Sequence, residues 1–177
     1  VTNNASITWT HDGNGSFTAG TETTINPEYV PDATDAGNNV TLTLTVGGNG
    51  SCADAVDSKL LFITDAPTAN AGADLETCED TPFTVTDAAV TNNASITWTH
   101  DGNGSFTAGT ETTINPEYVP DATDAGNNVN LTLTVGGNGS CNDAVDSKLL
   151  FITDAPTANA GADLETCEDT PFTVTDA

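Results

Sequence analysis

Apolar and polar residues alternate along several short stretches of the chain. In residues 129–135, Val or Leu fills every second position, and Asn or Thr fills the positions between them. This period of two predicts a β-strand with one face against a core and the other facing water. Weaker alternation predicts strands at 83–86 and 95–99, and it makes Trp98 a central core residue.

Turn-forming residues separate these stretches. Residues 101–104, Asp-Gly-Asn-Gly, predict a hairpin turn in which glycine and asparagine supply positive φ angles. Further strands are predicted at 69–77, 112–118 and 149–153, the last of them apolar on both faces, and a polar loop is predicted at 121–128. About seven or eight short strands without helical periodicity predict an all-β, antiparallel sandwich.

The chain is also a tandem repeat with a period of 89 residues. Residues 90–177 reproduce residues 1–88, so Trp9 is the counterpart of Trp98 in the core of the first copy. A period of this length suits a small β-sandwich, because a solenoid turn spans about 20 to 50 residues. The copies differ at two positions, which are Thr41 against Asn130 and Ala53 against Asn142.

A short connection rich in small residues follows the last predicted strand of each copy, at Pro67 and again at Pro156. With domain boundaries placed at these connections, residues 1–66 are the C-terminal part of a β-sandwich repeat, residues 67–155 are a complete repeat, and residues 156–177 hold the first strands of a third. We expect these residues to be a window on a longer array. The alternative is that separate chains complete one another by strand donation.

The charge of the chain excludes several partners. The formal net charge is −24, and Lys59 and Lys148 are the basic residues. Nucleic acid is not an expected partner, because binding it requires clustered Lys and Arg. Membrane insertion is not expected, because no apolar run approaches the roughly 20 residues that a spanning helix needs.

Each copy carries two cysteines, which are Cys52, Cys78, Cys141 and Cys167. An even count in a small β-repeat predicts disulfides and an oxidising, extracellular compartment. Cys78 and Cys141 form the natural pair within one domain. Sandwich topology instead places them at opposite poles, so Cys78 would meet the corresponding cysteine of the next domain. Both pairings stay open at this point.

Candidate chemistry is sparse. His11 and His100 are lone histidines expected at the surface, no nucleophile–base pair accompanies them, and no enzyme activity or required cofactor is predicted. Asp101 begins a D-x-N-x-S pattern that lacks the later residues of a calcium loop, so a turn is favoured.

Sandwich topology would gather five aspartates at the joint near Pro67, where their oxygens could bind Ca²⁺. These are Asp32, Asp35, Asp65, Asp143 and Asp146.

The ordered motifs resemble the PKD-like and immunoglobulin-like repeats of giant Bacteroidetes surface proteins. The resemblance rests on 69–74 (Ala-Asn-Ala-Gly-Ala-Asp), 96–98 (Ile-Thr-Trp), 102–106, 115–120 and 139–141 (Gly-Ser-Cys), in that order. It implies tandem immunoglobulin-like (PKD-like) sandwiches in a gliding-type or attachment adhesin, exported by the type IX secretion system. Unlike antibody domains, the repeat has no cysteines in its second and sixth strands.

The sequence is compatible with three functions. The first is a structural segment of an extracellular filament or adhesin stalk at the cell surface, with neighbouring identical repeats as partners. The second is a multivalent module that binds a glycan or surface polymer weakly. The third is a strand-donating subunit of a non-covalent fibre. Near-identical copies favour the structural role, because no copy is specialised.

Overall fold

The computed structural model describes residues 4–175 and contains 14 strands and three short 3-10 helices. The strands of the N-terminal unit (residues 4–62) are β1 (Asn4–His11), β2 (Ser16–Phe17), β3 (Tyr29–Val30), β4 (Asn39–Gly48) and β5 (Ala55–Phe62). Those of the second unit (residues 67–155) are β6 (Thr68–Asn70), β7 (Leu75–Cys78), β8 (Phe83–Thr84), β9 (Ala89–Thr91), β10 (Asn93–His100), β11 (Ser105–Phe106), β12 (Glu117–Val119), β13 (Asn128–Gly137) and β14 (Ala144–Thr153). The 3-10 helices are Ala33–Asp35, Thr110–Thr112 and Ala122–Asp124.

The second unit is an immunoglobulin-like β-sandwich, which confirms the predicted fold class. One sheet has the strand order β10-β13-β14-β7, and the other has the order β11-β12-β8. The strands β6 and β9 form a further short ladder. All pairs are antiparallel except β7 with β14, which are parallel.

The core lies between these two sheets, and it follows the predicted alternation. The apolar residues of β13 at 129, 131, 133 and 135 are all buried. Trp98 is 2% exposed and pairs with Leu133 across the ladder, which confirms it as a central core residue. The other buried members are Ala71, Val85, Tyr118, Leu150 and Ile152.

Three predicted strands have different bounds in the structure. The predicted strand 69–77 is broken into β6 and β7 around Gly72, whose φ of +89° does not fit a strand. The segment 112–118 is extended only in its last part, because a 3-10 helix occupies Thr110–Thr112. The last strand begins at Ala144, and the polar residues of its first half concealed it from a search for apolar runs.

The turn at 101–104 has a different physical reason from the predicted one. Neither Gly102 nor Gly104 has a positive φ. A Cβ atom at either position would instead collide with the Tyr118 hydroxyl, at 2.4 Å and 2.7 Å respectively. Glycine is therefore required because the tyrosine ring packs directly against the turn backbone.

The N-terminal unit repeats the later part of this sandwich. It has one sheet with the order β1-β4-β5 and a two-stranded ladder of β2 with β3. The register is the same, since Trp9 pairs with Leu44 as Trp98 pairs with Leu133. Its described residues, 4–62, hold counterparts of β10 to β14 but none of β6, β7 or β8, and residues 156–175 form no strand. Within residues 4–175, no helix is long and apolar enough to cross a membrane.

Candidate functional site

Asp124 is a buried carboxylate that gathers hydrogen bonds from several parts of the second unit. It ends a 3-10 helix and is 3% exposed. Its Oδ1 accepts the backbone N–H of Asn103 at 2.8 Å, and its Oδ2 accepts that of Gly104 at 3.0 Å. The same Oδ2 accepts the Tyr118 hydroxyl at 2.8 Å and the N–H of Asp121 at 3.1 Å. One side chain therefore ties the turn after β10 to β12.

These donors keep the carboxylate ionised. Burial raises the pKa of Asp124, but the hydrogen bonds from Asn103 and Tyr118 outweigh burial and hold that pKa below the ordinary aspartate value. Burial and the nearby carboxylate raise the pKa of Tyr118, so its hydroxyl remains a donor. In the N-terminal unit, Asp35 makes the same four hydrogen bonds to the corresponding groups.

Lys148 is a buried cation that binds β14 to the segment after β8. Its side chain is 0% exposed, and its Nζ lies 2.6 Å from Oδ1 of Asp87. The ammonium also lies 5.8 Å from the centre of the Phe83 ring. Hydrogen bonds from Lys148 and from the N–H of Ala73 lower the pKa of Asp87. The charge in the core is thus paired within the unit.

Side chains of the second unit donate to backbone carbonyls across the joint between the units, and a further side-chain hydrogen bond within the second unit supports them. Asn92, which has a φ of 51°, donates from its side chain to the carbonyl oxygen of Ala66 at 3.1 Å. Asn138, in the loop between β13 and β14, donates to the carbonyl oxygen of Asn92 at 2.8 Å. The Cys141 thiol in the same loop donates to the carbonyl oxygen of Thr64 at 3.5 Å. The second unit therefore docks on the end of β5.

The two cysteines of one unit lie far apart. Cys78 pairs with Thr153 at the last residue of β14, whereas Cys141 precedes the first residue of that strand, Ala144. A strand of this length rises about 30 Å at roughly 3.3 Å per residue. A disulfide needs Cα atoms about 4.4 to 6.8 Å apart, so this geometry does not allow the pairing within one unit. All four cysteines are free thiols in the structure.

Two of the predicted calcium ligands serve the N-terminal unit itself. Asp35 is buried under its four hydrogen bonds, and Asp32 accepts the N–H and the hydroxyl of Thr34 as a helix cap. Hydrogen bonds from Thr34 lower the pKa of Asp32. Asp65 follows β5 and its carboxylate lies beside Gly37. Their oxygens are therefore not turned together toward the joint.

The other two predicted ligands serve the second unit. Asp143 accepts the N–H of Gly137 at 3.0 Å, and Asp146 accepts that of Ala71 at 2.8 Å. In the described part of the chain, no group of three or more His, Cys, Asp or Glu side chains could hold a metal ion. The structure does not bring the five aspartates together, and calcium binding stays a prediction that titration with calcium tests.

The N-terminal unit has an open face where the second unit has a covered one. Trp98 is buried, whereas Trp9 is half-buried and borders two hollows of about 450 and 60 Å³. Lys59, the counterpart of the buried Lys148, is exposed and lines the smaller hollow. In the second unit, residues 67–88 supply β6, β7 and β8, which cover the corresponding face.

Sequence reasoning missed Asp124 and misplaced His100. The segment 121–128 looked like a polar loop, although an Asp three residues before another Asp is a capping signal that points to a short helix. The His100 ring, expected at the surface, is half-buried with its centre 5.2 Å from that of Phe106 and 5.0 Å from that of Tyr118. Both residues support the same turn.

Comparison with known proteins gives distant structural neighbours. No family model and no curated protein matches the chain. Similar solved structures include the mouse nectin-like molecule 4 ectodomain (Ig1–Ig3), with 17% identity, a TM-score of 0.34, and coverage of 86% of this chain and 56% of that one. Human protocadherin-24 EC1-2 has 11% identity and a TM-score of 0.40, over 85% and 83% of the two chains.

A third neighbour is an endo-fucoidan hydrolase of glycoside hydrolase family 107. It has 15% identity and a TM-score of 0.29, and the match covers 81% of this chain and 27% of the hydrolase. The chain thus spans about half of the nectin-like ectodomain (56%) and a smaller share of the hydrolase. Likeness at this level carries no argument about activity. The structure itself identifies the second unit as an immunoglobulin-like sandwich.

Proposed function

We propose that this chain is a structural segment of an extracellular filament or adhesin stalk at the cell surface, of the gliding-type kind that its motifs resemble. The observation that carries the proposal is the joint between the units. The side chain of Asn92 and the thiol of Cys141 bond across it to the backbone carbonyls of Ala66 and Thr64, and the side chain of Asn138 holds the Asn92 carbonyl from within the second unit. A stalk needs joints that resist bending, and hydrogen bonds that cross a short linker oppose the domain motion that a small joint otherwise allows.

The charge and the repetition support the same role. A formal net charge of −24 keeps neighbouring stalks soluble and apart. The two copies differ at two positions, so the array adds length without changing its surface chemistry. In the second unit, Trp98 and Tyr118 are buried in the core, so neither ring is available there to stack on a sugar.

Immunogold labelling of the cells that produce the chain tests this function. Antibodies raised against the purified chain should decorate filaments on unpermeabilised cells, and antibody pre-absorbed with the chain should not. Labelling confined to permeabilised cells would overturn the proposal.

Small-angle scattering tests the joint that carries it. We expect the pair of units to scatter as one rigid body, and Asn92→Ala with Asn138→Ala to increase the spread of shapes. A matched pair of surface variants, Asn14→Ala with Asn103→Ala, changes the same residue type away from the joint. A wild-type chain as flexible as the joint variant would contradict the stiff-stalk reasoning.

A further inference from the structure

One side of the sheet β10-β13-β14-β7 points away from the core and carries an apolar stripe along β14. Even-numbered residues from 148 to 152 are buried, and odd-numbered residues from 145 to 153 are exposed. The exposed set includes Val145 at 63%, Leu149 at 36% and Phe151 at 38%. Because alternate residues of a strand share a face, these three large apolar side chains lie on the outside of the second unit.

The strands beside the stripe add hydroxyl and amide groups to the same side of the sheet. Directly paired residues share a face, so Thr134 of β13 lies beside Val145. One strand further, β10 places Thr97 beside Thr134. We call the outward side of β10, β13 and β14 the outer face. Its other outward positions on β10 and β13 include Ser95, Thr99, Asn130 and Thr132.

The outer face carries no carboxylate or ammonium group within the described strands β10, β13 and β14, although the chain has 26 acidic residues. Asp146 and Lys148 are the charged residues of β14, and both belong to its inward side. Lys148 is buried, and Asp146 accepts the N–H of Ala71. The uncharged character of the outer face therefore comes from which side of each strand the charges occupy.

Carboxylates border the outer face on three sides without entering it. Just after β10 and just before β14, an aspartate accepts a backbone N–H of β13, at 2.7 Å and 3.0 Å respectively. On the β7 side, an aspartate accepts the N–H of Leu149 and a glutamate pairs with Phe151. An uncharged centre inside a polar rim is typical of protein interfaces. The four rim residues are, in that order, Asp101, Asp143, Asp74 and Glu76.

The N-terminal unit has the same face. The counterparts of the apolar stripe are Val56, Leu60 and Phe62, and Val56 is 64% exposed. One of the two differences between the copies falls on this face, where Thr41 stands against Asn130, and it exchanges one uncharged residue for another. The array thus presents an outer face once in every period of 89 residues.

We propose that the outer face binds the outer face of a second copy of this chain, so that neighbouring stalks associate side by side. The identity of the partner follows from charge. Each copy has a formal net charge of −24, and like charges placed across an interface oppose association. Two outer faces can meet without burying a carboxylate, because their acidic residues stay at a solvated rim. This inference rests on the proposed stalk function and names the surface and the partner.

The contact has the geometry of two stacked sheets. Sheets that pack face to face lie about 10 Å apart, and use of the same face by both copies makes the contact isologous. Three strands of about seven residues span roughly 300 Å². A stable complex buries about 800 Å² on each partner. One pair of outer faces therefore binds weakly, and repetition along the array multiplies the contact.

Sedimentation equilibrium of the 177-residue chain, with dithiothreitol to keep the thiols reduced, tests the contact. We expect the average mass to rise above 18.0 kDa with protein concentration. Raising NaCl from about 0.1 M to about 1 M should strengthen the association, because the screening length falls from about 10 Å to about 3 Å and repulsion between the copies weakens. Association that weakens with salt would mean an ionic contact and would overturn the proposal.

Charged substitutions locate the contact. Val56→Glu with Val145→Glu adds a carboxylate to both outer faces and should weaken the association at least about tenfold. Val145→Glu alone should weaken it less, because one face of each chain stays uncharged. Ala33→Glu with Ala122→Glu is the matched control, since it adds the same charges at exposed alanines of the 3-10 helices. All of these side chains are exposed, so circular dichroism of the variants should match wild type.

The outcomes separate a second copy from other occupants of the face. A wild-type chain that stays at 18.0 kDa at about 0.5 mM and high salt would overturn the proposal, and so would equal weakening by the face and control variants. A monomeric chain that floats with phosphatidylcholine vesicles, and loses this in Val56→Glu with Val145→Glu, would assign the face to a lipid surface instead. Immunogold labelling of filaments does not depend on this contact, so failure of the two proposals can be told apart.

Discussion

Replacing the buried Asp124 with alanine should strongly destabilise the second unit. The carboxylate accepts three backbone N–H groups and the Tyr118 hydroxyl, and both side chains are buried. A hydrogen bond to a charged group contributes about 1.5 to 3 kcal/mol. Simple addition over the bonds would reach roughly 6 to 12 kcal/mol, which is comparable to the whole stability of a domain.

The true cost should be smaller, because water enters the space that the carboxylate leaves. It can satisfy the N–H groups of Asn103 and Asp121, which lie near the surface, but it reaches the Tyr118 hydroxyl less easily. We therefore expect a loss of about 4 kcal/mol in the free energy of unfolding, in the range diagnostic of a broken buried network. Tyr118→Phe, which removes one bond, should cost about 1 to 2 kcal/mol.

Asp121→Ala is the matched control, because it removes the same charge from the same short helix. Its carboxylate is exposed and caps the helix through Thr123, so its loss should cost about 1 kcal/mol. Urea unfolding followed by Trp98 fluorescence, in a Trp9→Phe background, measures each variant. If Asp124→Ala and Asp121→Ala differ by less than about 1 kcal/mol, the reasoning about the buried network is wrong.

Acid should destabilise the second unit, because protonation of Asp124 removes a carboxylate that the fold stabilises in its ionised form. The pKa of Asp124 is lower in the folded than in the unfolded chain. Its contribution to the free energy of unfolding is therefore complete above the unfolded pKa of about 4 and is lost as pH falls through the folded pKa. Urea midpoints measured from pH 7 to pH 2.5 should fall, and they should fall less steeply for Asp124→Asn. Asp87→Ala should cost about 2 kcal/mol, less than a fully buried pair because Asp87 is 37% exposed, whereas Lys148→Met should change stability by under about 1 kcal/mol; equal losses in thermal unfolding would contradict this. Asn130→Thr, which restores the residue of the first copy, should change the free energy of unfolding by less than about 0.5 kcal/mol and the melting temperature correspondingly little. A larger shift would mean that this half-buried position packs against the core.

Lys148 illustrates why some interior residues escaped prediction. A lysine between polar residues at 146–147 and apolar residues at 149–152 marks an outward position in most strands. Here alternation in β14 turns Leu150, Ile152 and Lys148 inward together. The charge is tolerated because Asp87, 61 residues away in the chain, arrives beside it. No local pattern carries that information.

The sequence by itself determined the period, the alternating strand at 129–135, the core place of Trp98 and the sandwich class, because each depends on residues close together in the chain. Tertiary structure decided the network around Asp124, the pairing of Lys148 and the large separation of Cys78 from Cys141. Those depend on where the chain returns after 20 residues or more, as when Asp124 reaches the turn at Gly104. The reason is physical: side-chain periodicity is set by the local backbone, whereas hydrogen-bond partners are set by the packing of distant strands.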